Sequence, residues 1–182
     1  VDAWEGDAPV PADVLRARIG AVDGVLTMLT ERVDDALLDA APRLRAVANM
    51  AVGCDNIDVP ACTQRGVMVM NTPGVLDEAT ADMAFALLLS AARRLPEGDR
   101  AIREGTWGAW HPLWMLGHAV GGATLGLVGP GRIASAVARR AHGFGMTVLY
   151  HGRHDAPEFP GERVPLPELL ARADFVSIHV PL

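Results

Sequence analysis

The sequence predicts an α/β protein built on parallel sheets. Two observations lead there. Short apolar runs of strand length alternate with helix-like stretches in both halves of the chain. The second is a glycine-rich turn in TLGLVGPGRIASAVARR (124–140), set between a predicted strand and a predicted helix. Parallel strands need crossover connections, and crossovers cover a sheet on both faces.

The first third holds three apolar runs: GVLTML (24–29), LRAVANM (44–50) and GVMVMN (66–71). Helix-like stretches separate them at ADVLRARI (12–19), DDALLDAA (34–41) and VPACTQRG (59–66). A Pro follows the second of these and a Gly ends the third, as helix stops. NTPGV (71–75) is a turn, with Pro73 forcing Thr72 toward an extended backbone. It marks a hinge, so residues 1–73 form one domain and 74–182 a second.

DEATADMAFALLLSAARR (77–94) reads as a strong helix. Asp77 and Glu78 suit its positive end, and Arg93 and Arg94 its negative end. It is apolar nearly all round, so burial on several sides is expected, with a subunit interface one way to supply it. Residues 96–105 form a second helix, with Pro at its start and Gly past its end. WGAWHPLWMLGHAVGG (107–122) has no period and holds three of the four Trp, so it reads as an ordered aromatic loop anchored against something. From Ala123 the pattern is strand (ATLGLVG), helix (GRIASAVARRAHG), strand (MTVLYH), helix (PLPELLARA), strand (DFVSIHV). That is βαβαβ, one half of a dinucleotide-binding fold.

Composition narrows the class. Half of the 182 residues are apolar and the formal charge is −6, with no basic tract, which disfavours a nucleic-acid surface. Cys54 and Cys62 have no metal-ligand or Cys-x-x-Cys spacing, so free thiols and a cytoplasmic location are expected. The longest apolar run, MAFALLLSAA (83–92), is too short to cross a bilayer. The chain starts at Val1 and stops just after an apolar run, so it is expected to be an internal piece of a longer protein. An open sheet edge and exposed apolar surface would make such a piece unstable alone.

The chemistry centres on Gly129-x-Gly131-x-x-Ala134. Gly129 permits a tight turn, Gly131 lets backbone approach a pyrophosphate, and Ala134 is small enough for helix-on-strand packing. Free N–H groups at the helix start then face the anion. The second strand of such a unit normally ends in an acid that binds the ribose hydroxyls, about 20 residues after the glycines. Here that position is Gly152, followed by Arg153 and His154. Gly does not repel a 2′-phosphate, and Arg153 can grip one bidentately, with His154 as a further donor. One charge-assisted hydrogen bond is worth about one to two decades of affinity. NADP(H) is therefore expected to be preferred, with NAD(H) the alternative. Asp155 competes with this reading, since turned inward it would serve the ribose. Arg153 as a merely solvated charge is the other competing reading.

VGCDNID (52–58), NTPGVLDEATADMAFALLL (71–89), LGLVGPGRIASAVARRAHGFGM (125–146) and DFVSIHVPL (174–182) resemble the D-2-hydroxyacid dehydrogenase family. WGAWHPLWMLG (107–117), with the YHGR ending, is similar to its glyoxylate/hydroxypyruvate reductase branch. The resemblance implies a flavodoxin-like substrate domain plus a Rossmann dinucleotide-binding domain, both truncated in this chain. It implies reduction of a small 2-keto acid with a nicotinamide cofactor. Val52 and Gly53 would bind the substrate carboxylate through backbone N–H groups, a role that a turn after a strand can supply. Leu29 would line the substrate pocket, and Trp110 would reach into the partner subunit's cleft.

Thr80 would lie near the nicotinamide, Gly131, Arg132 and Ile133 at the pyrophosphate, and Val180 and Pro181 beside the adenosine. Ala134 and Ser135 depart from the family's usual residues. A homodimer through helix 77–94 and loop 106–122 would follow. The family's catalytic Arg, Glu and His fall beyond the third Rossmann strand, so no catalytic residue is expected within this chain. None of its six His matches that position. The alternatives are a phosphoglycerate, phosphite or formate dehydrogenase of the same family, or a corepressor-like protein that binds the dinucleotide without turnover.

Overall fold

The computed structural model describes residues 1–180. The chain forms two compact units, Val1–Leu76 and Asp77–Leu182.

In the first unit, α1 (Ala12–Ile19), α2 (Asp35–Asp39) and α3 (Val59–Gln64) alternate with β1 (Gly24–Thr27), β2 (Ala46–Asn49) and β3 (Met68–Asn71). The strands are parallel in the order β1-β2-β3, with Thr27, Asn49 and Asn71 in one row at their C-terminal ends. Side-chain caps start the two short helices. The Asp34 carboxylate accepts from the Leu37 N–H, and that of Asp58 from the Ala61 N–H. All three helices pack on one face, where Ile19, Leu37, Leu38, Val47 and Cys62 share a core with Val25 and Val69. The other face is open: Leu26 is 70%, Met68 62% and Met70 44% exposed. The expectation of a sheet covered on both faces is therefore wrong here. Each crossover helix returns along the same side, because the strands are laid down in one direction without a reversal.

The second unit begins with α4 (Asp77–Ala92) and α5 (Leu95–Arg103). A long loop leads to β4 (Thr124–Val128), α6 (Arg132–Gly143), β5 (Thr147–His151), β6 (Glu162–Arg163), α7 (Leu166–Arg172) and β7 (Phe175–Ile178). The sheet is parallel, in the order β6-β5-β4-β7. This corrects the simple βαβαβ reading. DFVSI pairs with β4 on the side away from β5, so it takes the place of the fourth strand of a 3-2-1-4-5-6 sheet. The third place is held by two-residue β6, too short to show a period in the sequence. Leu125, Leu127, Val148 and Tyr150 pack against α4 and α6, whereas Leu149 packs against Leu169 of α7.

Within this chain, helix α4 is buried along one side. Ala81, Phe85 and Ala92 are buried, but Met83 and Leu87 are 61% and 62% exposed. Arg94 adopts the left-handed conformation (φ 55°) and separates α4 from α5. On the polar side, Arg140 of α6 pairs with Glu78 and Asp82 of α4. In the aromatic loop the Trp107 and Trp114 rings stack at 6.1 Å, while Trp110 is 80% exposed. No helix among the described residues is long and apolar enough to cross a membrane.

Candidate functional site

The glycine turn of the second unit lies where β4 passes between β5 and β7, the reversal of strand order at which open α/β sheets bind ligands. Gly129 has φ 95°, and its N–H donates to the His151 carbonyl at 2.9 Å. A Cβ there would stand 2.5 Å from the His179 carbonyl oxygen, so only glycine fits. Gly131 is the N-cap of α6 and no side chain caps that helix. A Cβ on Gly131 would meet nothing within 4 Å, so open space lies over the helix start. Amide donors without a side-chain cap, beneath open space, fit a dinucleotide pyrophosphate. Ala134 is fully buried, as a position for close helix–strand packing requires.

Arg132 and Ile133 occupy the first turn of α6. The Arg132 Nε lies 3.2 Å from Asp77 Oδ2, while Asp77 Oδ1 is buried with no hydrogen-bond partner. Val180 reaches the same turn, its Cγ1 within 2.7 Å of where a Gly129 Cβ would stand. Pro181 lies outside the described residues. His179 donates to or accepts from the Ser177 hydroxyl at 2.9 Å, and burial holds its imidazole below the ordinary value. At neutral pH it is an uncharged ring beside the turn.

Gly152 follows β5 directly and faces Pro130 of the turn. Arg153 and His154 are exposed, and Arg153 forms no ion pair among the described residues. Asp155 is exposed and held locally. Its Oδ1 accepts from the Tyr150 hydroxyl at 3.2 Å and from the Ala156 N–H at 3.0 Å, and Arg163 lies 3.9 Å away. The fold thus gathers Gly129, Gly131, Arg132, Ile133, Gly152, Arg153, His154 and Val180 at one end of the sheet. Thr80 is exposed on α4, with no hydrogen bond to the turn.

In the first unit, Val52 and Gly53 follow β2 at the C-terminal end of its sheet. The Ala51 carbonyl accepts from the Thr72 N–H (2.9 Å) and hydroxyl (3.2 Å). The Val52 carbonyl accepts from Asn71 Nδ2 at 3.0 Å, and the Gly53 carbonyl from Asn49 Nδ2 at 2.9 Å. In a trans peptide the N–H points opposite to the preceding carbonyl. Pinning the carbonyls of Ala51 and Val52 inward therefore turns the N–H groups of Val52 and Gly53 outward. Neither donates to a protein acceptor among the described residues, and the Asp55 carboxylate lies beside Gly53, its Oδ2 2.9 Å from where a Gly53 Cβ would stand. Leu29, 62% exposed, follows β1 at the same end.

Sequence reasoning missed the side chains that hold this loop. Asn49 also donates to Asn56 Oδ1 at 3.0 Å and accepts from the Thr27 hydroxyl at 3.0 Å. Asn56 in turn donates to the carbonyls of Met28 (2.9 Å) and Glu31 (2.8 Å). The signal was a polar residue inside each apolar run, Thr27 and Asn49. Pro130 and Asp77 were likewise missed as partners of Gly152 and Arg132. Burial pushes the Cys62 thiol pKa up, and no His/Cys/Asp/Glu group suited to a metal occurs among the described residues.

Comparison with known proteins bears on the same two regions. Residues 85–182 match the family model described as D-isomer specific 2-hydroxyacid dehydrogenase, NAD binding domain. The whole chain aligns at 54% identity with a glyoxylate reductase of Korarchaeum cryptofilum, covering 56% of it. A glyoxylate reductase of Thermococcus kodakarensis is 52% identical, with 57% of its length covered. Among solved structures, the TT0316 protein of Thermus thermophilus superposes with a TM-score of 0.89 at 47% identity, over 95% of this chain and 55% of that one. The chain spans just over half the length of these relatives. A glycine turn at the strand-order reversal, matched by a model covering more than half of the chain, assigns it to the D-isomer specific 2-hydroxyacid dehydrogenase family.

Proposed function

We propose that the protein containing this chain reduces a small 2-keto acid to the 2-hydroxy acid, with glyoxylate and hydroxypyruvate the leading substrates and NADP(H) preferred over NAD(H). The observation that carries the reading is the outward pair of N–H groups at Val52 and Gly53, in a chain that also carries the dinucleotide turn. A 2-keto acid is a small carboxylate, and an uncharged amide nest suits one. A phosphorylated acid would call for basic side chains beside the nest. The relatives at 52–54% identity, themselves glyoxylate reductases, support the substrate class.

When bound, reduced nicotinamide supplies the hydride that the keto carbon accepts. The residues of this chain bind and orient. The amides of Val52 and Gly53 hold the carboxylate, and Leu29 forms an apolar wall. The first turn of α6 holds the pyrophosphate, with Arg132 steadied by Asp77, and Thr80 lies near the nicotinamide. Val180 and Pro181 pass the adenosine, and Arg153 with His154 takes the 2′-phosphate. Residues 1–73 serve as the substrate domain and 74–182 as the cofactor domain. In the family resembled, an Arg orients the keto acid and a His, tuned by a Glu, donates the proton; none of the three is expected within this chain. Trp110 and the exposed side of α4 face a second subunit in a cytoplasmic homodimer.

The test is direct. Full-length protein is mixed with glyoxylate or hydroxypyruvate, and the absorbance of NADPH and of NADH is followed separately. Oxidation of both, faster with NADPH at equal sub-saturating concentration, is expected. No oxidation of either cofactor would remove the reductase reading, and equal or tighter NADH binding would remove the cofactor preference.

A further inference from the structure

Gly152 stands where a dinucleotide-binding fold ordinarily carries its ribose-binding acid. Its backbone does not require glycine, because it is not among the positive-φ glycines. The obstacle is one ring. A Cβ at 152 would lie 2.5 Å from Pro130 Cδ and 2.8 Å from Pro130 Cγ, whereas the next neighbour, the His154 carbonyl oxygen, is an ordinary 3.5 Å away.

Nor can the ring move aside. Its Cδ is bonded to the backbone nitrogen, so it shifts only with the main chain. That main chain is held on both sides. The Gly129 N–H donates to the His151 carbonyl, and the Gly131 N–H donates to the Gly129 carbonyl, each at 2.9 Å, while the His179 carbonyl leaves no room for so much as a Cβ at 129.

We propose that Pro130 is a cofactor-specificity residue: by occupying the space beside the end of β5 it excludes every side chain at position 152, the ribose-binding acid included, and leaves the adenosine site to Arg153. Preference for the 2′-phosphate is then encoded on the glycine turn as well as on the loop after β5. Arg153 supplies the attraction and Pro130 forbids the competitor. The inference rests on the NADP(H) reading for its functional meaning, but the steric coupling is measurable without it.

The experiment uses the full-length protein and four variants: Gly152→Asp, Gly152→Ala, Pro130→Ala and Pro130→Ala combined with Gly152→Asp. Dissociation constants for NADPH and NADH come from fluorescence titration, and Tm is taken without cofactor. Gly152→Asp and Gly152→Ala alone should lower Tm and weaken both cofactors by about tenfold or more, since either displaces the turn that holds the pyrophosphate. The double variant should regain Tm and bind NADH more tightly than NADPH. Pro130→Ala alone should leave the ratio of the two affinities within about threefold of the starting protein.

If Gly152→Asp alone switches the protein to NADH at undiminished Tm, no steric coupling exists and the proposal falls. It falls equally if the double variant is no more stable than Gly152→Asp. Should both single substitutions at 152 fail to fold, a folded double variant supports the proposal and an unfolded one overturns it. A starting protein that prefers NADH would end the NADP(H) reading, while recovery of Tm in the double variant would still establish that Pro130 dictates glycine at 152.

Discussion

Thr27 and Asn49, register partners on adjacent parallel strands, share a buried hydrogen bond of 3.0 Å, and each is 2% exposed or less. They are the buried polar residues of a core otherwise made of apolar side chains. The bond orients the Asn49 amide so that its Nδ2 reaches the Gly53 carbonyl, and so fixes the loop that presents the outward N–H groups.

Replacing Asn49 with Leu should therefore cost more than its small change in volume. Loss of the amide leaves the Thr27 hydroxyl and the Gly53 carbonyl without partners, at about 1–3 kcal/mol for each buried group left unsatisfied. Urea unfolding should show the loss. If the loop seats the carboxylate as proposed, KM for the keto acid in the full-length protein should rise further than kcat falls, because that loop is loosened. A variant with unchanged KM would separate Asn49 from the nest.

Gly129 and Gly131 should respond differently to the same added methyl. Gly129→Ala meets both a positive φ and a backbone oxygen, so Tm should drop, with backbone strain alone about 1–3 kcal/mol. Gly131→Ala meets nothing in the protein, so Tm should hold while its methyl intrudes on the space over α6 and weakens both cofactors alike. Calorimetry alongside cofactor titration distinguishes the two.

Arg153 is exposed and unpaired among the described residues, so Arg153→Ala should leave Tm unchanged. NADPH affinity should fall by about ten- to a hundredfold, the worth of one or two charge-assisted hydrogen bonds. NADH affinity should hold within about threefold, and the NADPH loss should shrink as salt is raised. Equal losses for both cofactors would place Arg153 elsewhere than at the 2′-phosphate.

His179 gives the fold an acid limb. Burial lowers its folded pKa below the ordinary 6.5, so the unfolded chain takes up a proton before the folded one does. Its contribution is complete above that value and is lost as pH falls through it toward the folded pKa. His179→Asn should flatten the fall in Tm from about pH 7.5 to about pH 5 relative to the parent. Parallel Tm curves for the two proteins would show that His179 titrates freely.

Element type was legible in the sequence, whereas element neighbours were not. ADVLRARI is α1, and the runs at 24–29, 44–50 and 66–71 contain β1, β2 and β3, because apolar length and stop residues act locally. The placement of β7 beside β4 depends on which side of the sheet α7 crosses, and no local pattern reports that. The open face of the first sheet escaped for the same reason, since Leu26, Met68 and Met70 look like core until the helices are seen to lie opposite. At the dinucleotide turn the glycines announced themselves. Pro130, next to them, became meaningful only when Gly152, distant in sequence, was found against its ring.

On the proposed reading, the Val52–Gly53 loop would meet a small acid with main chain alone. Peptide groups do not ionise in the physiological range, so the two amides themselves would have no proton to lose. Short of proline, which has no N–H, no exchange of side chain at 52 deletes the pair. Inherited variation at that position would reshape what surrounds the carboxylate while the grip on it persists, so such a scaffold can drift from one acid to another without first giving up acids as a class.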